Sequence, residues 1–125
     1  MSKNLYLGVT NGQLASLPSS PNAVSSQTDQ PTKQVEALPL KGSVAETKAA
    51  IIGCLTKMGD NTIAAQTDEY IHAVFTSRLL RFKDDVEFYI DATAGQAHFR
   101  SSSRVGHSDL GANRKRYQTF RGFYQ

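Results

Sequence analysis

Residues 86–101, VEFYIDATAGQAHFRS, constrain the fold more than any other stretch of the chain. Apolar and polar side chains alternate there with the period of two that a half-buried strand requires. Val86, Phe88 and Ile90 fall on one side, and Glu87, Tyr89 and Asp91 on the other. After ATAG, whose Gly95 suits a tight turn, Ala97 and Phe99 repeat the first side and His98 and Arg100 the second. With Asp91 facing Gln96, the hairpin pairs Ile90 with Ala97, Tyr89 with His98, Phe88 with Phe99, Glu87 with Arg100 and Asp85 with Ser102. This register predicts a Glu87–Arg100 ion pair on the outer face of a sheet.

Two more strands are predicted upstream, a short one over 61–67 and another over 70–77 with Ile71, Ala73 and Phe75 inward. A helix precedes them. Ser43 and Glu46 have the spacing of a capping box, Val44, Ile51, Ile52, Leu55 and Met58 follow the helical period, and Gly59 suits its end. A last helix is predicted with Ser108 as its N-cap, Asp109 in its first turn, and Leu110, Tyr117, Phe120 and Tyr124 on its apolar side. Helix, strands and helix in this order predict an α+β two-layer sandwich of about four antiparallel strands, with both helices packed on one face.

A length of 125 residues suits one domain with a modest core, assigned here to residues 43–125. Residues 1–42 carry all four prolines and much Ser, Asn and Gln, which argues against regular structure. Leu5, Leu7, Val9, Leu14, Leu17 and Val24 still recur through them, and a purely disordered tail has no use for such residues. An extended N-terminal arm is expected, partly packed on the domain.

The formal net charge of +3 is too small to argue nucleic-acid binding. Arg114, Lys115, Arg116 and Arg121, interleaved with Tyr117 and Tyr124, have the composition of a phosphate-tracking surface. Tyr117, Phe120 and Tyr124 nevertheless share the face that the core requires, so a solvated basic helix face is the better reading. The single cysteine, Cys54, excludes an internal disulfide and a multi-cysteine metal site, and its mid-helix position predicts a small buried residue. No hydrophobic run reaches the length of a membrane span, and the N-terminus lacks the apolar core of a signal peptide. A cytoplasmic location is therefore expected.

The polar run RSSSRVGHSDLGANRKR, residues 100–116, is the candidate site. Arg100 and Arg104 carry forked donors that match a carboxylate or phosphate, and Ser102 with its serine neighbours adds hydroxyls. Asp84, Asp85 and Glu87 would orient the arginines, Ser108 and Asp109 would fix the helix start, and Asn113 and Arg114 would complete the rim. The expected function is a non-catalytic binding or interaction module that holds an anionic group, on a small ligand or on a protein partner. Two rivals use the same residues: a small enzyme or metal-binding protein, and a purely structural ion-pair network. Asp84, Asp85, Glu87, His98, His107 and Asp109 could ligate a metal, but they lack the spacing of a metal loop, and no metal or cofactor is assigned. No G-x-S-x-G nucleophile elbow is present.

Three stretches carry a family resemblance: LPSSPNAVSSQ, YIHAVFTSRLLRFKDDVEFYID and RSSSRVGHSDLGANRKR, in this order. Together they resemble the uncharacterised family catalogued as domain of unknown function 1499, over nearly the whole chain. The resemblance implies bacterial and plastid-lineage proteins, many small and some with a membrane or export segment, with no established reaction. Members often have cysteines flanking the PSSPN stretch, where this chain has Leu17 and Ala23. Their joint absence is what the loss of a pair predicts, and it argues against a metal or redox role for the stretch here. Pro21 and Asn22 favour a turn there, which either covers the mouth of a pocket or makes a rigid bend in the arm.

Overall fold

A computed structural model describes residues 7–105 and 111–125. In chain order the elements are β1 (Val9–Thr10), β2 (Gln13–Leu14), β3 (Ala23–Ser25), a 3-10 turn (Pro31–Lys33), β4 (Leu38–Pro39), α1 (Val44–Met58), β5 (Asn61–Gln66), β6 (Tyr70–Thr76), β7 (Lys83–Asp91), β8 (Gln96–Ser103) and α2 (Ala112–Tyr124). The fold is α+β. β3, β8, β7, β6 and β5 lie side by side in an antiparallel sheet, and β4 also pairs with β8. The sheet thus has six strands rather than about four. The two extra strands come from the proline-rich segment, where a few ladder bonds to β8 suffice: Val24 sits opposite Ser101, and Leu38 opposite Ala97. Pro39 is tolerated because it closes a two-residue strand at the sheet's edge.

The β7–β8 register is the expected one, from Asp91 opposite Gln96 to Asp85 opposite Ser102. The capping box of α1 is present: the Glu46 amide donates to the Ser43 hydroxyl at 3.0 Å, and the Ser43 amide to the Glu46 carboxylate at 2.9 Å. Gly59 ends the helix with φ 71, a left-handed angle that favours glycine. α1 and α2 pack on one face of the sheet. Ile51 and Leu55 meet Ile71, Val86, Phe88 and Ile90 there, while Phe99 stacks on Tyr117 at 4.0 Å and Phe88 lies 4.8 Å from Phe120. Cys54 is buried among them. The described α2 begins at Ala112 with Gly111 at its N-cap position. Ser108, Asp109 and Leu110, expected to open that helix, lie outside the described residues.

The second face is covered as well. Asn11 (φ 54) and Gly12 (φ 75) make a two-residue turn of the kind that Asn-Gly favours, pairing Val9 with Leu14 and Thr10 with Gln13. The Gly8 amide donates to the Glu87 carboxylate at 2.6 Å, and Arg100 donates to the carbonyls of Ala15 and Ser16 at 2.9 and 3.0 Å. Residues 8–16 therefore lie over the side of the sheet expected to face water. Glu87 is 0% exposed and Arg100 2%. Among the described residues, no helix is long and apolar enough to cross a membrane.

Candidate functional site

Strand alternation divides the predicted polar cluster between two faces. Asp84 points to the helix side, where its carboxylate takes a 2.6 Å hydrogen bond from Arg116. Beside it the Ser101 hydroxyl donates to Asn113 Oδ1, and Asn113 Nδ2 donates to Ser103 Oγ and to the Asn22 carbonyl, each at 3.0 Å. Asn113 thus pins α2 to β8 and to the loop before β3. Arg114 turns away, to the carbonyls of Thr32 at 2.7 Å and Gln34 at 3.3 Å. The structure does not bring Asp84 or Arg114 to Arg100 and Arg104.

Asp85, Glu87, Arg100, Ser102 and Arg104 come together on the other face. Arg100 engages four acceptors: the Ala15 and Ser16 carbonyls, Ser102 Oγ at 3.1 Å, and Glu87 at a longer 3.5 Å. Glu87 accepts from the Gly8 amide, the Tyr70 hydroxyl and Arg100, three donors that suit a carboxylate. Burial pushes the Glu87 carboxyl up and the Arg100 guanidinium down, and their mutual attraction works against both shifts. Such a pair, closed over by the arm, fastens the chain to itself.

Arg104 is different. Its Nε and Nη2 donate to the two oxygens of Asp85 at 3.0 and 2.9 Å, a bidentate fork. His72 adds a third contact to Asp85 at 2.8 Å. Burial works to raise the Asp85 pKa, but the hydrogen bonds from His72 and Arg104 and the charge of Arg104 outweigh it and hold the carboxyl at about 2. The Arg104 side chain is 45% exposed, and the Asp85 fork leaves Nη1 unused.

A cleft of about 670 Å³ opens beside it, between residues 16–22 of the arm and the ends of β7 and β8. Asp85, Arg100, Ser102, Ser103 and Arg104 form its floor, and Ser16, Leu17, Pro18, Ser20 and Asn22 its wall. Asn22, of the Pro21–Asn22 stretch, is one of the residues that line the cleft. Lys33, whose role was not legible in the sequence, holds that wall: its buried ammonium donates to the carbonyls of Pro18 at 2.6 Å and Ser20 at 2.7 Å. The only available signal was a lysine two residues after Pro31, and nothing local says what it reaches.

The cleft is rich in donors. Ser102 Oγ accepts from Arg100, whereas Ser103 Oγ is turned to Asn113 on the helix side. The Ser102 hydroxyl keeps a hydrogen for which no acceptor is found among the described residues, as do the outer nitrogens of Arg104. Ser108 and Asp109 lie outside the described residues. No three His, Cys, Asp or Glu side chains come together to hold a metal ion among the described residues.

A family model described as "Protein of unknown function (DUF1499)" matches residues 13–122, a span that contains every residue lining the cleft. No curated protein and no solved structure matches the chain at a meaningful level of similarity. The match extends over nearly all of the sheet and both helices, and on that ground the chain belongs to the DUF1499 family of proteins of unknown function.

Proposed function

We propose that the cleft receives a small molecule carrying a carboxylate or phosphate, and that the domain is a binding module for it. The observation that carries this reading is the donor set: Arg104, held in place by Asp85 yet exposed on its outer side, next to the Ser102 hydroxyl, which already accepts from Arg100. An anion is the group that answers a set of donors. A volume of about 670 Å³ lies within the range of small-ligand sites.

Binding is favoured over turnover by the state of the acids. Both Asp85 oxygens are engaged and its pKa is low, so it is a poor proton acceptor. Glu87 is sealed under the arm. Arg100 and Glu87 belong to the structural reading, and Arg104 with Ser102 to the ligand.

Thermal denaturation in the presence of inorganic phosphate, small mono- and dicarboxylates and nucleotides tests the proposal. A ligand at a hundred times its Kd stabilises the folded state by about 2.7 kcal/mol, a rise in Tm on the order of 10 °C for a domain of this size. Arg104→Ala removes that rise; because it also takes the forked partner from Asp85 it lowers the unliganded Tm, so the rise is read against the variant's own unliganded Tm. A Tm that none of these anions moves counts against the cleft as an anion site.

A further inference from the structure

We infer that the β6–β7 connection is a membrane-surface foot, which seats this end of the sheet on a bilayer containing anionic lipid. The connection, residues 77–82, reads SRLLRF and leads into Lys83. Leu79 is 89% exposed, Leu80 63% and Phe82 52%, with Val105 at 56% just past the end of β8. Val105 belongs to the same patch, because the amide of its neighbour Arg104 bonds to the Lys83 carbonyl at 3.0 Å. Four large apolar side chains thus gather at one end of the sheet, where a folded chain gains nothing by exposing them.

The loop holding them is built rather than loose. Ser77 clamps its base three times: its amide donates to the Phe82 carbonyl at 2.8 Å, its carbonyl accepts from the Arg81 amide at 3.1 Å, and its hydroxyl accepts from the Phe82 amide at 2.9 Å. Arg81 closes the loop at φ 59, in the left-handed region. Leu79 and Leu80 are carried outward on this fixed turn.

The charge around the patch selects the partner. Arg81 and Lys83 have no acidic partner among the described residues, and Arg78 shares Asp60 at 2.9 Å. The nearest acids on the strands, Asp84 and Asp85, are buried and taken by Arg116 and Arg104. Among the described residues, the exposed charge at this end is therefore net positive. A second copy docking by the same end would set like charges together. An anionic bilayer answers both features: the apolar tips enter the headgroup boundary while the cationic heads stay among the lipid phosphates. This foot is independent of the anion cleft, and either can hold without the other.

Flotation of the full chain with vesicles tests it. The chain is expected to float with equimolar phosphatidylcholine and phosphatidylglycerol, to remain below with phosphatidylcholine alone, and to be released by high salt. The Leu79→Ser, Leu80→Ser double variant is expected to bind about tenfold or more weakly, at an unchanged Tm, because both side chains are already in water. The Arg81→Gln, Lys83→Gln variant reads the same surface through charge and should lose the preference for phosphatidylglycerol. Absence of flotation with the anionic vesicles overturns the inference, as does flotation that neither variant weakens. A concentration-dependent dimer in sedimentation velocity that the double leucine variant abolishes would assign the patch to self-association instead.

Discussion

The guanidinium of Arg100 donates to the carbonyl of Ala15 at 2.9 Å across 85 positions of sequence, and this bond ties the arm to the sheet. The same side chain reaches Ser16, Ser102 and Glu87, so one residue of β8 ties the arm, its own strand and β7 together. Replacing it with leucine strips the Ala15 and Ser16 carbonyls of their donor and leaves the Glu87 carboxylate buried without its cation. Removing one partner of a buried pair costs about 3–5 kcal/mol. Arg100→Leu is expected to fall in that range in urea denaturation, with residues 7–22 becoming cleavable by protease under native conditions. Arg100→Lys keeps the charge but not the fork and should lie between the two. A loss below about 1 kcal/mol would show that the arm is held by something else.

Asp85 gives the fold a dependence on acid. Its folded pKa is depressed to about 2 from an ordinary value of 3.8, so it supplies stability above pH 4 that is lost as pH falls through the folded value. The difference corresponds to about 2 kcal/mol. Glu87 has the opposite sign: its pKa is raised, so the cost of burying its charge eases as the solution becomes acidic. The parent chain should therefore be more stable than Asp85→Asn at pH 6, and the gap should close between about pH 4 and pH 2. Chemical denaturation of both chains across that window measures it. A gap that stays constant with pH would remove Asp85 as its source.

Lys33 holds the cleft wall from behind, through the Pro18 and Ser20 carbonyls. Lys33→Met keeps the stem and removes the ammonium, so two carbonyls lose their donor. The expected cost is about 1–3 kcal/mol. Amide exchange should accelerate in the described residues of 18–22, and whatever anion raises the Tm of the parent chain should bind more weakly, although Lys33 does not line the cleft. Exchange rates at Ser20 and Asn22 unchanged from the parent would detach the wall from Lys33.

The sequence made the hairpin legible because its turn is short and one side is apolar: slipping the register by one residue would bury Glu87, Tyr89 and Asp91 against the helices instead of Phe88 and Ile90. The α1 boundaries were legible for the same kind of local reason, a cap at Ser43 and a glycine at 59. What covers the outer face was not. Glu87 and Arg100 read as a solvent-facing pair, since nothing near them in sequence tells of Gly8, Ala15 or Ser16. Part of that covering did carry a signal, the Asn11–Gly12 dipeptide between Val9 and Leu14, which the proline count outweighed. The expectation that Asp84 and Asp85 serve the same arginines conflicts with the alternation itself. Neighbours on one strand face opposite ways, and Asp84 accordingly found Arg116.

Arg116 and its neighbour Lys115 separate the two readings of the basic helix. Lys115 is exposed, whereas Arg116 reaches Asp84 at 2.6 Å and Asn113 at 2.9 Å and lies over the Phe75 ring at 4.8 Å. Arg116→Ala leaves the Asp84 carboxylate of β7 buried without its cation and uncovers an aromatic face, so a loss of about 2–4 kcal/mol is expected. Lys115→Ala should change stability by no more than about 0.5 kcal/mol. A helix that served a phosphate-tracking surface would instead show both substitutions weakening nucleic-acid binding alike, with little effect of either on folding. Urea denaturation of the two variants, beside a salt titration of binding to single-stranded DNA, distinguishes the cases. Equal and small stability changes in the two variants would return Arg116 to the solvated face.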